Sequence, residues 1–297
     1  MKKKLILIGT FLIPIMVGIV VLVACLIMLD FFGANVTDGY VVDNMEYASN
    51  YKATLNKNIK NGNGYVSLER ILYFYLENDS LTFDEIYTDN LDIETKKQKS
   101  ISDVCLMDKY KNYSVCSESS ISTSGQIDEE QKKPFNAPLE ISNMNVTSFF
   151  MEQRIVFGKY DTHNAWDFSS PNLTNVYSVC DGIVETVSFK FDANITNTNG
   201  GGGNQIKIKC DVDDITYHVL YAHLYPGSAK VKVGDKVTHW QLLGGVGTTG
   251  YSTGPHLHYQ VYKDDTVIDG VSLIDFTYLN TQGNAGQFEI NQPSLGY

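Results

Sequence analysis

The chain has 297 residues, of which 43% are hydrophobic and 19% charged, and its formal net charge is −11 at pH 7. A chain of this length accommodates a membrane anchor and one or two folded domains. Its acidic balance argues against a nucleic-acid-binding protein, because phosphates attract lysine and arginine, so we expect no nucleic acid among its partners.

The N-terminus reads Met-Lys-Lys-Lys and is followed by an uncharged run over residues 5–29. A transmembrane helix needs about 20 apolar residues, and lysines mark its cytoplasmic side. We therefore predict a cytoplasmic end at 1–4, a single-pass anchor over 5–29, and the rest of the chain on the extracellular side of the cell membrane. A cleaved signal peptide has a shorter apolar region, of about 7–15 residues. The alternative is lipidation of Cys25, because Leu22-Val-Ala-Cys25 is similar to a lipoprotein processing box.

Residues 30–116 are acidic, rich in Tyr and Asn, and lack histidine. After Ser67, a typical N-cap, apolar residues fall at the spacing of an amphipathic helix: Leu68, Ile71, Leu72, Tyr75 and Leu76. Thr82-Phe-Asp-Glu85 is typical of a capping box that starts a second short helix. We predict a small helical accessory region here, a domain or a stalk, of no recognised family.

Residues 117–138 are polar and end in Pro134 and Pro138, which predicts an exposed linker. From residue 139 the pattern changes to short strands separated by glycine turns, so we predict a mainly β domain over 139–280 and a flexible tail over 281–297. Gly200–Gly203 are four consecutive glycines, which favours a flexible loop.

Two histidines stand out in residues 247–262, which read GTTGYSTGPHLHYQVY. The Gly, Ser, Thr and Pro before them are typical of a turn, and the residues after them are typical of a strand. Residues i and i+2 of a strand point to one side, so His256 and His258 face the same way and Leu257 faces a core. This pattern suits a metal ligand beside a catalytic group, and a pair of histidines on a solvated face is the alternative.

The other histidines strengthen the metal hypothesis. The first in the chain opens His163-Asn-Ala-Trp-Asp167, and another lies in Tyr221-Ala-His-Leu224. Histidine and aspartate are good zinc ligands, and three protein ligands plus a water is the usual catalytic arrangement. On the predicted strand 215–224, alternation places His223 on the face of Tyr221, whereas His218 has the opposite parity and is interpreted as structural. His239 is interpreted as a surface residue.

His-x-x-x-Asp, Tyr-x-His-Leu and Thr-Gly-x-Ser-Thr-Gly-Pro-His-Leu-His occur in this order. This series resembles the lysostaphin/LytM family of zinc metallopeptidases, which cut peptide bonds in bacterial peptidoglycan, over about residues 136–278. The resemblance implies a catalytic domain built on an antiparallel sheet with a zinc-lined groove. It also implies zinc ligands at His163, Asp167 and His258, and catalytic histidines at His223 and His256.

Some positions depart from the family. Ala165 and Trp166 stand where relatives usually have Gly and an aliphatic residue, and Trp240 stands where they usually have Gly. These changes spare the ligands and are expected to reshape a groove wall. Many relatives use a Tyr upstream of the first ligand to steady the transition state, and Tyr160 is the nearest candidate, with a plain loop tyrosine as the alternative.

The chain has five cysteines. None of them has zinc-finger spacing, and Cys25 lies in the predicted anchor. The remaining four are predicted to form disulfides outside the cell or to be free buried thiols. The candidate pairs are Cys105 with Cys116 and Cys180 with Cys210.

Three functions are considered for this chain. The first is a membrane-anchored zinc endopeptidase that cuts peptidoglycan stem peptides or cross-bridges. The second is an inactive domain of the same fold that binds cell wall or regulates another hydrolase; inactive members typically lose ligands or catalytic histidines, and here all five positions are filled. The third is an adhesion or secretion-complex subunit acting through its helical region. The expected partners are peptidoglycan peptides, the membrane, and a secretion or conjugation apparatus.

Overall fold

A computed structural model describes residues 45–77, 80–113, 116 and 133–276. The predicted anchor and tail lie outside these residues, and none of the helices within them is long and apolar enough to cross a bilayer. The predicted linker is described only from residue 133, where Phe135 and Ala137 are buried.

Within the residues that the structure describes, four α-helices precede the sheet: α1 (Met45–Lys60), α2 (Leu68–Tyr75), α3 (Phe83–Asn90) and α4 (Ile101–Cys105). The hydroxyl of Ser67 accepts a hydrogen bond from the backbone N–H of Arg70, which confirms the predicted N-cap of α2. The predicted capping box between Thr82 and Glu85 is also present and starts α3. Cys105 at the end of α4 is joined to Cys116 by a disulfide.

Twelve strands follow in the described part of the chain: β1 (Asn145–Ser148), β2 (Glu152–Val156), β3 (Lys159–His163), β4 (Trp166–Ser169), β5 (Asn175–Tyr177), β6 (Gly182–Ser188), β7 (Gln205–Val212), β8 (Ile215–Ala222), β9 (Lys236–Val237), β10 (Leu242–Gly245), β11 (His256–Lys263) and β12 (Thr266–Ile268). The main sheet has the order β1-β4-β11-β8-β7-β6-β9, with β12 paired to β11. The pairs β2–β3 and β5–β10 form two small sheets. All pairings between these strands are antiparallel, as the resemblance implied.

One face of the main sheet is buried. It carries the alternate residues of its central strands, among them Tyr217, Val219, Tyr221, Leu257, Tyr259 and Val261. The ring of Phe135 contacts that of Tyr217 at 5.2 Å between centroids, so the segment before β1 covers part of this face. Leu257 is fully buried here, which confirms that it faces the core. Cys180 and Cys210 are buried and joined by a disulfide.

The helices share a hydrophobic core with the β domain. The ring of Tyr51 in α1 meets Phe149 edge-on at 5.0 Å, and Tyr65 meets Trp166 at 5.8 Å. Asn56 in α1 accepts a hydrogen bond from the backbone N–H of Val146 and donates one to its carbonyl, at 2.6 and 3.0 Å. The helix thereby pairs with the outer edge of β1, which would otherwise expose unpaired backbone groups.

Candidate metal centre

The predicted ligands lie on three strands, of which two are paired in the main sheet. His163 ends β3, Asp167 lies in β4, and His258 lies in β11. The antiparallel register of β4 and β11 places Asp167 directly opposite His258. The two-residue connection between β3 and β4 brings His163 to the same point, so ligands that are 91 to 95 residues apart in the chain become neighbours.

The three ligand atoms form a tight group, in which all lie within 4.8 Å of one another. His163 Nε2 lies 3.2 Å from Asp167 Oδ1, and His258 Nδ1 lies 3.0 Å from the same oxygen. The two nitrogens are 3.4 Å apart. Ligands about 2.0–2.1 Å from a tetrahedral zinc ion are separated by about 3.3 Å, so this donor set fits zinc in both chemistry and spacing.

Neighbouring groups hold the two most buried ligands in orientation. His163 Nδ1 lies 3.3 Å from the carbonyl oxygen of Phe149. Because a carbonyl only accepts hydrogen bonds, Nδ1 carries the proton and Nε2 keeps its lone pair for the metal. The guanidinium of Arg154 donates to Asp167 Oδ2 at 2.8 Å, which leaves Oδ1 directed at the two histidines.

Burial and charge set the protonation states of these ligands. Burial lowers the pKa of His163 and favours its neutral form. Burial opposes ionisation of Asp167, but its hydrogen bonds and electrostatic interactions with His163 and His258 outweigh burial and hold the pKa of the carboxyl well below its usual range. A neutral imidazole and an ionised carboxylate are the forms that bind metal.

His223 reaches this centre through an unusual backbone conformation. Residue 223 follows the end of β8 and has a φ of +60°, in the left-handed region. Strand alternation would place its side chain on the buried face with Tyr221, but its ring lies 4.7 Å from that of His256 and 5.6 Å from that of His258. The expectation that His223 shares a face with Tyr221 was therefore wrong, because the left-handed residue ends the alternation.

His223 and His256 present the same ring nitrogen to the centre. His223 Nδ1 donates to the carbonyl of Thr249 at 2.7 Å, and His256 Nδ1 donates to that of Gly254 at 2.8 Å. Each ring therefore keeps an unprotonated Nε2, and that of His256 lies 3.6 Å from Asp167 Oδ1. Burial, with His256 and His258 close by, lowers the pKa of His223 to about 3, so this ring is neutral at physiological pH.

The four-glycine loop, Gly200–Gly203, holds the backbone of His223. The carbonyl of Gly202 accepts a hydrogen bond from the backbone N–H of His223 at 2.8 Å. The carbonyl of Gly201 accepts one from the backbone N–H of Tyr251 at 2.7 Å. A Cβ on Gly203 would lie only 2.2 Å from the carbonyl oxygen of Thr249. Gly203 therefore allows two loops to approach closely, and the flexibility expected of the four glycines stays a prediction.

The other residues singled out in the sequence are Tyr160, Trp166, Trp240, His218 and His239. The side chain of Tyr160 is 81% exposed on β3. Trp166 is buried, donating its indole N–H to Asp269, and Trp240 packs against Tyr177. His218 pairs with Glu185 at 2.7 Å and His239 pairs with Asp181 at 2.9 Å, in line with their interpretation as residues outside the catalytic group.

Sequence reasoning missed three groups that orient the centre: Arg154, the Phe149 carbonyl and the Thr249 carbonyl. No local pattern marks Arg154 as a residue that orients a ligand, and the two carbonyls leave no trace in the sequence. Arg154 in β2 and Asp167 in β4 lie thirteen residues apart with the strand β3 between them, so only the folded hairpin shows that they meet.

The model of a known family, described as Peptidase family M23, matches residues 161–270. All five predicted site residues lie within that range. Residues 161–270 form a peptidase family M23 domain. The resemblance to lysostaphin/LytM-type peptidases is thereby confirmed.

Two relatives and one solved structure illustrate the similarity of this M23 domain to known proteins. The chain is 34% identical over 132 residues to peptidoglycan DD-endopeptidase ShyC of Vibrio cholerae, covering 43% of this chain and 27% of that protein. It is 38% identical over 98 residues to glycyl-glycine endopeptidase ALE-1 of Staphylococcus capitis, covering 33% and 24%. The chain thus spans about a quarter of the length of these relatives. A zinc-containing peptidase from Vibrio cholerae aligns at 30% identity and a TM-score of 0.38, over 47% of this chain and 40% of the other.

Proposed function

We propose that this protein is a zinc endopeptidase that hydrolyses peptide bonds of bacterial peptidoglycan. The observation that carries the proposal is the group of three ligand atoms, 3.0–3.4 Å apart, with two further imidazoles beside it that are not needed as ligands. Its M23 domain belongs to a peptidase family, and relatives named as endopeptidases of peptidoglycan or of glycyl-glycine bonds support the choice of a cell-wall peptide as substrate.

His163, Asp167 and His258 would hold the zinc ion. When bound there, zinc supplies a Lewis acid for the scissile carbonyl and lowers the pKa of an adjacent water toward about 7. The open face of the sheet beside these ligands is where an extended peptide would lie.

His256 and His223 would handle the proton. His256 donates Nδ1–H to the Gly254 carbonyl and directs Nε2 at the centre, where it lies 3.6 Å from Asp167 Oδ1, and its side chain is less deeply buried than that of His223. His256 would take the proton of the attacking water and return it to the leaving amine. His223 is held neutral by burial, and its Nε2 would accept a hydrogen bond from that water and orient it.

Mass analysis of fragments released from purified cell walls of several chemotypes tests this function. We expect new peptide termini in at least one wall type, and the cleaved bond identifies the substrate. His223→Ala and His256→Ala are expected to keep zinc and to lose roughly 10²–10⁴-fold in turnover. A folded, zinc-loaded protein that binds walls but releases nothing from any of them would instead support the inactive wall-binding alternative.

We further propose that the protein is held in the cell membrane by residues 5–29, with the peptidase domain outside the cell. The proposal is supported by the uncharged run behind three lysines and by two disulfides, which form in oxidising compartments. Protease treatment of intact cells is expected to remove the peptidase domain and to spare the lysine-bearing end. A mature N-terminus at Cys25 or beyond, found by mass spectrometry, would contradict the uncleaved anchor.

A further inference from the structure

Helix α1 meets the β domain next to the metal centre. Its residues Lys52, Asn56 and Lys60 are spaced by four, so they lie along one side of the helix. All three bond to residues of β1. Lys52 Nζ donates to the Thr147 carbonyl at 3.2 Å, and Asn56 pairs with the backbone of Val146. Lys60 Nζ donates to the side chain of Asn145 at 3.0 Å. The helix therefore holds a strand that pairs directly with β4, the strand of Asp167.

Lys52 makes a second contact, with a buried acid. Its Nζ donates to Glu152 Oε1 at 2.7 Å. The side chain of Glu152 is only 5% exposed, whereas that of Lys52 is 27% exposed. An ionised carboxylate at so buried a position is costly without a cationic partner, and Lys52 is that partner.

Glu152 in turn fixes the turn that orients His163. Its other carboxylate oxygen, Oε2, accepts from the backbone N–H of Phe149 at 3.1 Å, and its own N–H donates to the Phe149 carbonyl at 3.2 Å. That carbonyl is the one that accepts from His163 Nδ1. In the same turn, the backbone N–H of Met151 donates to the carbonyl of His163 at 2.7 Å.

These contacts form a continuous series from the helix to a metal ligand: Lys52, Glu152, the Phe149 carbonyl and His163. We propose that α1 is a positioning element of the metal centre and that Lys52 is a positioning residue, acting through Glu152 on the orientation of His163. This inference rests on the proposed zinc site. It assigns the helical region, which lies outside the M23 match, a part in building that site.

The physical expectation concerns metal affinity. Without the Lys52 ammonium, the buried Glu152 carboxylate has no cationic partner and is expected to turn toward water. That movement weakens its bond to the Phe149 N–H and loosens the carbonyl that orients His163. Groups that orient a ligand directly change metal affinity by about 10–100-fold, so Lys52, which acts through Glu152, is expected to contribute about 3- to 10-fold.

The test measures zinc affinity by competition with a chromophoric chelator, using the protein with its helical region. Lys52→Gln is expected to weaken zinc binding about 3- to 10-fold, and Lys52→Arg is expected to restore it. Lys57→Gln is the matched control, because Lys57 lies in the same helix and pairs with the exposed acid Asp84. Circular dichroism and thermal unfolding establish that each variant is folded.

A double-variant cycle tests the route of the effect. If Lys52 acts through Glu152, Lys52→Gln causes no further loss when Glu152 is already Gln. The inference is overturned if folded Lys52→Gln keeps wild-type affinity, or if its loss is the same with and without Glu152. If Lys52→Gln does not fold, the test uses Glu152→Gln alone. An unchanged zinc affinity of Glu152→Gln would show that Glu152 does not connect α1 to His163, and would overturn the inference. A wild-type protein that binds no zinc contradicts the proposed function itself. Equal zinc affinities of the wild type and Lys52→Gln contradict only this inference.

Discussion

At the scale of single residues, His223 has the strongest expected pH dependence. Burial and the neighbouring imidazoles lower its pKa in the folded protein to about 3, whereas an unfolded histidine titrates near 6.5. Between these values the unfolded chain binds the extra proton. This contribution to the free energy of unfolding is therefore fully present above about pH 6.5 and declines as pH falls toward 3.

The measurement compares His223→Asn with the wild type in metal-free buffer with chelator. Asn retains a donor near the position of Nδ1 and tolerates the left-handed backbone, but it does not titrate. Between pH 6 and 4, the wild-type free energy of unfolding should fall more steeply than that of the variant, by up to about 1.4 kcal/mol per pH unit. Equal slopes would show that His223 is not held neutral by burial.

Residue types and spacing were enough to indicate a metal site, because the His-x-His of a strand and the turn residues before it are local signals; the division into ligands and catalytic histidines came from the resemblance to a known family. The approach of His223 was not predictable in the same way. Its left-handed φ depends on the loops that surround it, and strand alternation alone assigned it to the wrong face. Arg154 and the orienting carbonyls were missed because they act through tertiary contacts.

At the scale of elements, the glycine loop and residues 247–251 form one packed unit beneath His223. Gly201 and Gly203 both have positive φ, at +51° and +62°, so both carry backbone strain when substituted. The two glycines differ in the room around them. A Cβ added at Gly201 would meet no atom within 4 Å, whereas a Cβ added at Gly203 would collide with Thr249. The Thr249 carbonyl is the acceptor that holds His223.

Gly201→Ala is therefore expected to lower the free energy of unfolding by about 1–2 kcal/mol, from the left-handed backbone alone, and to leave turnover nearly unchanged. Gly203→Ala is expected to cost more in urea-induced unfolding and to reduce turnover, because the Thr249 carbonyl must move. Similar effects of the two substitutions on both quantities would show that close approach of the loops is unimportant.

The cap of α2, the capping box of α3 and the strand character of the β domain were predicted because each depends on residues that are near in sequence. The packing of the helices on the β domain was not predicted. Its aromatic contacts join Tyr51 to Phe149 and Tyr65 to Trp166, about 100 residues away, and a lone tyrosine does not indicate which surface it will meet.

At the scale of the whole molecule, the helical region supports the β domain. Tyr65 donates to Asp269 Oδ2 at 2.6 Å, and Trp166, beside the ligand Asp167, donates to Oδ1 at 2.8 Å. Burial raises the pKa of Asp269, and these hydrogen bonds oppose the rise. Removing the helices leaves this acid with one partner fewer and exposes the apolar surface around Phe149 and Trp166.

A comparison of fragments 45–297 and 133–297 tests this dependence. The shorter fragment should have a lower Tm, or be insoluble, because several aromatic side chains lose their cover, each worth about 1.5–3 kcal/mol. Differential scanning calorimetry measures the difference. An equal Tm for both fragments would mean that the helical region is an independent stalk after all.

The central claim is that three residues bind zinc and two adjacent histidines do not. Elemental analysis of the purified fragment 45–297, after dialysis against metal-free buffer, tests it directly. We expect one zinc per chain in the wild type, one in His256→Ala, and close to none in His258→Ala, with all three folded by circular dichroism. A folded wild type without zinc, or loss of zinc from His256→Ala, would contradict the account.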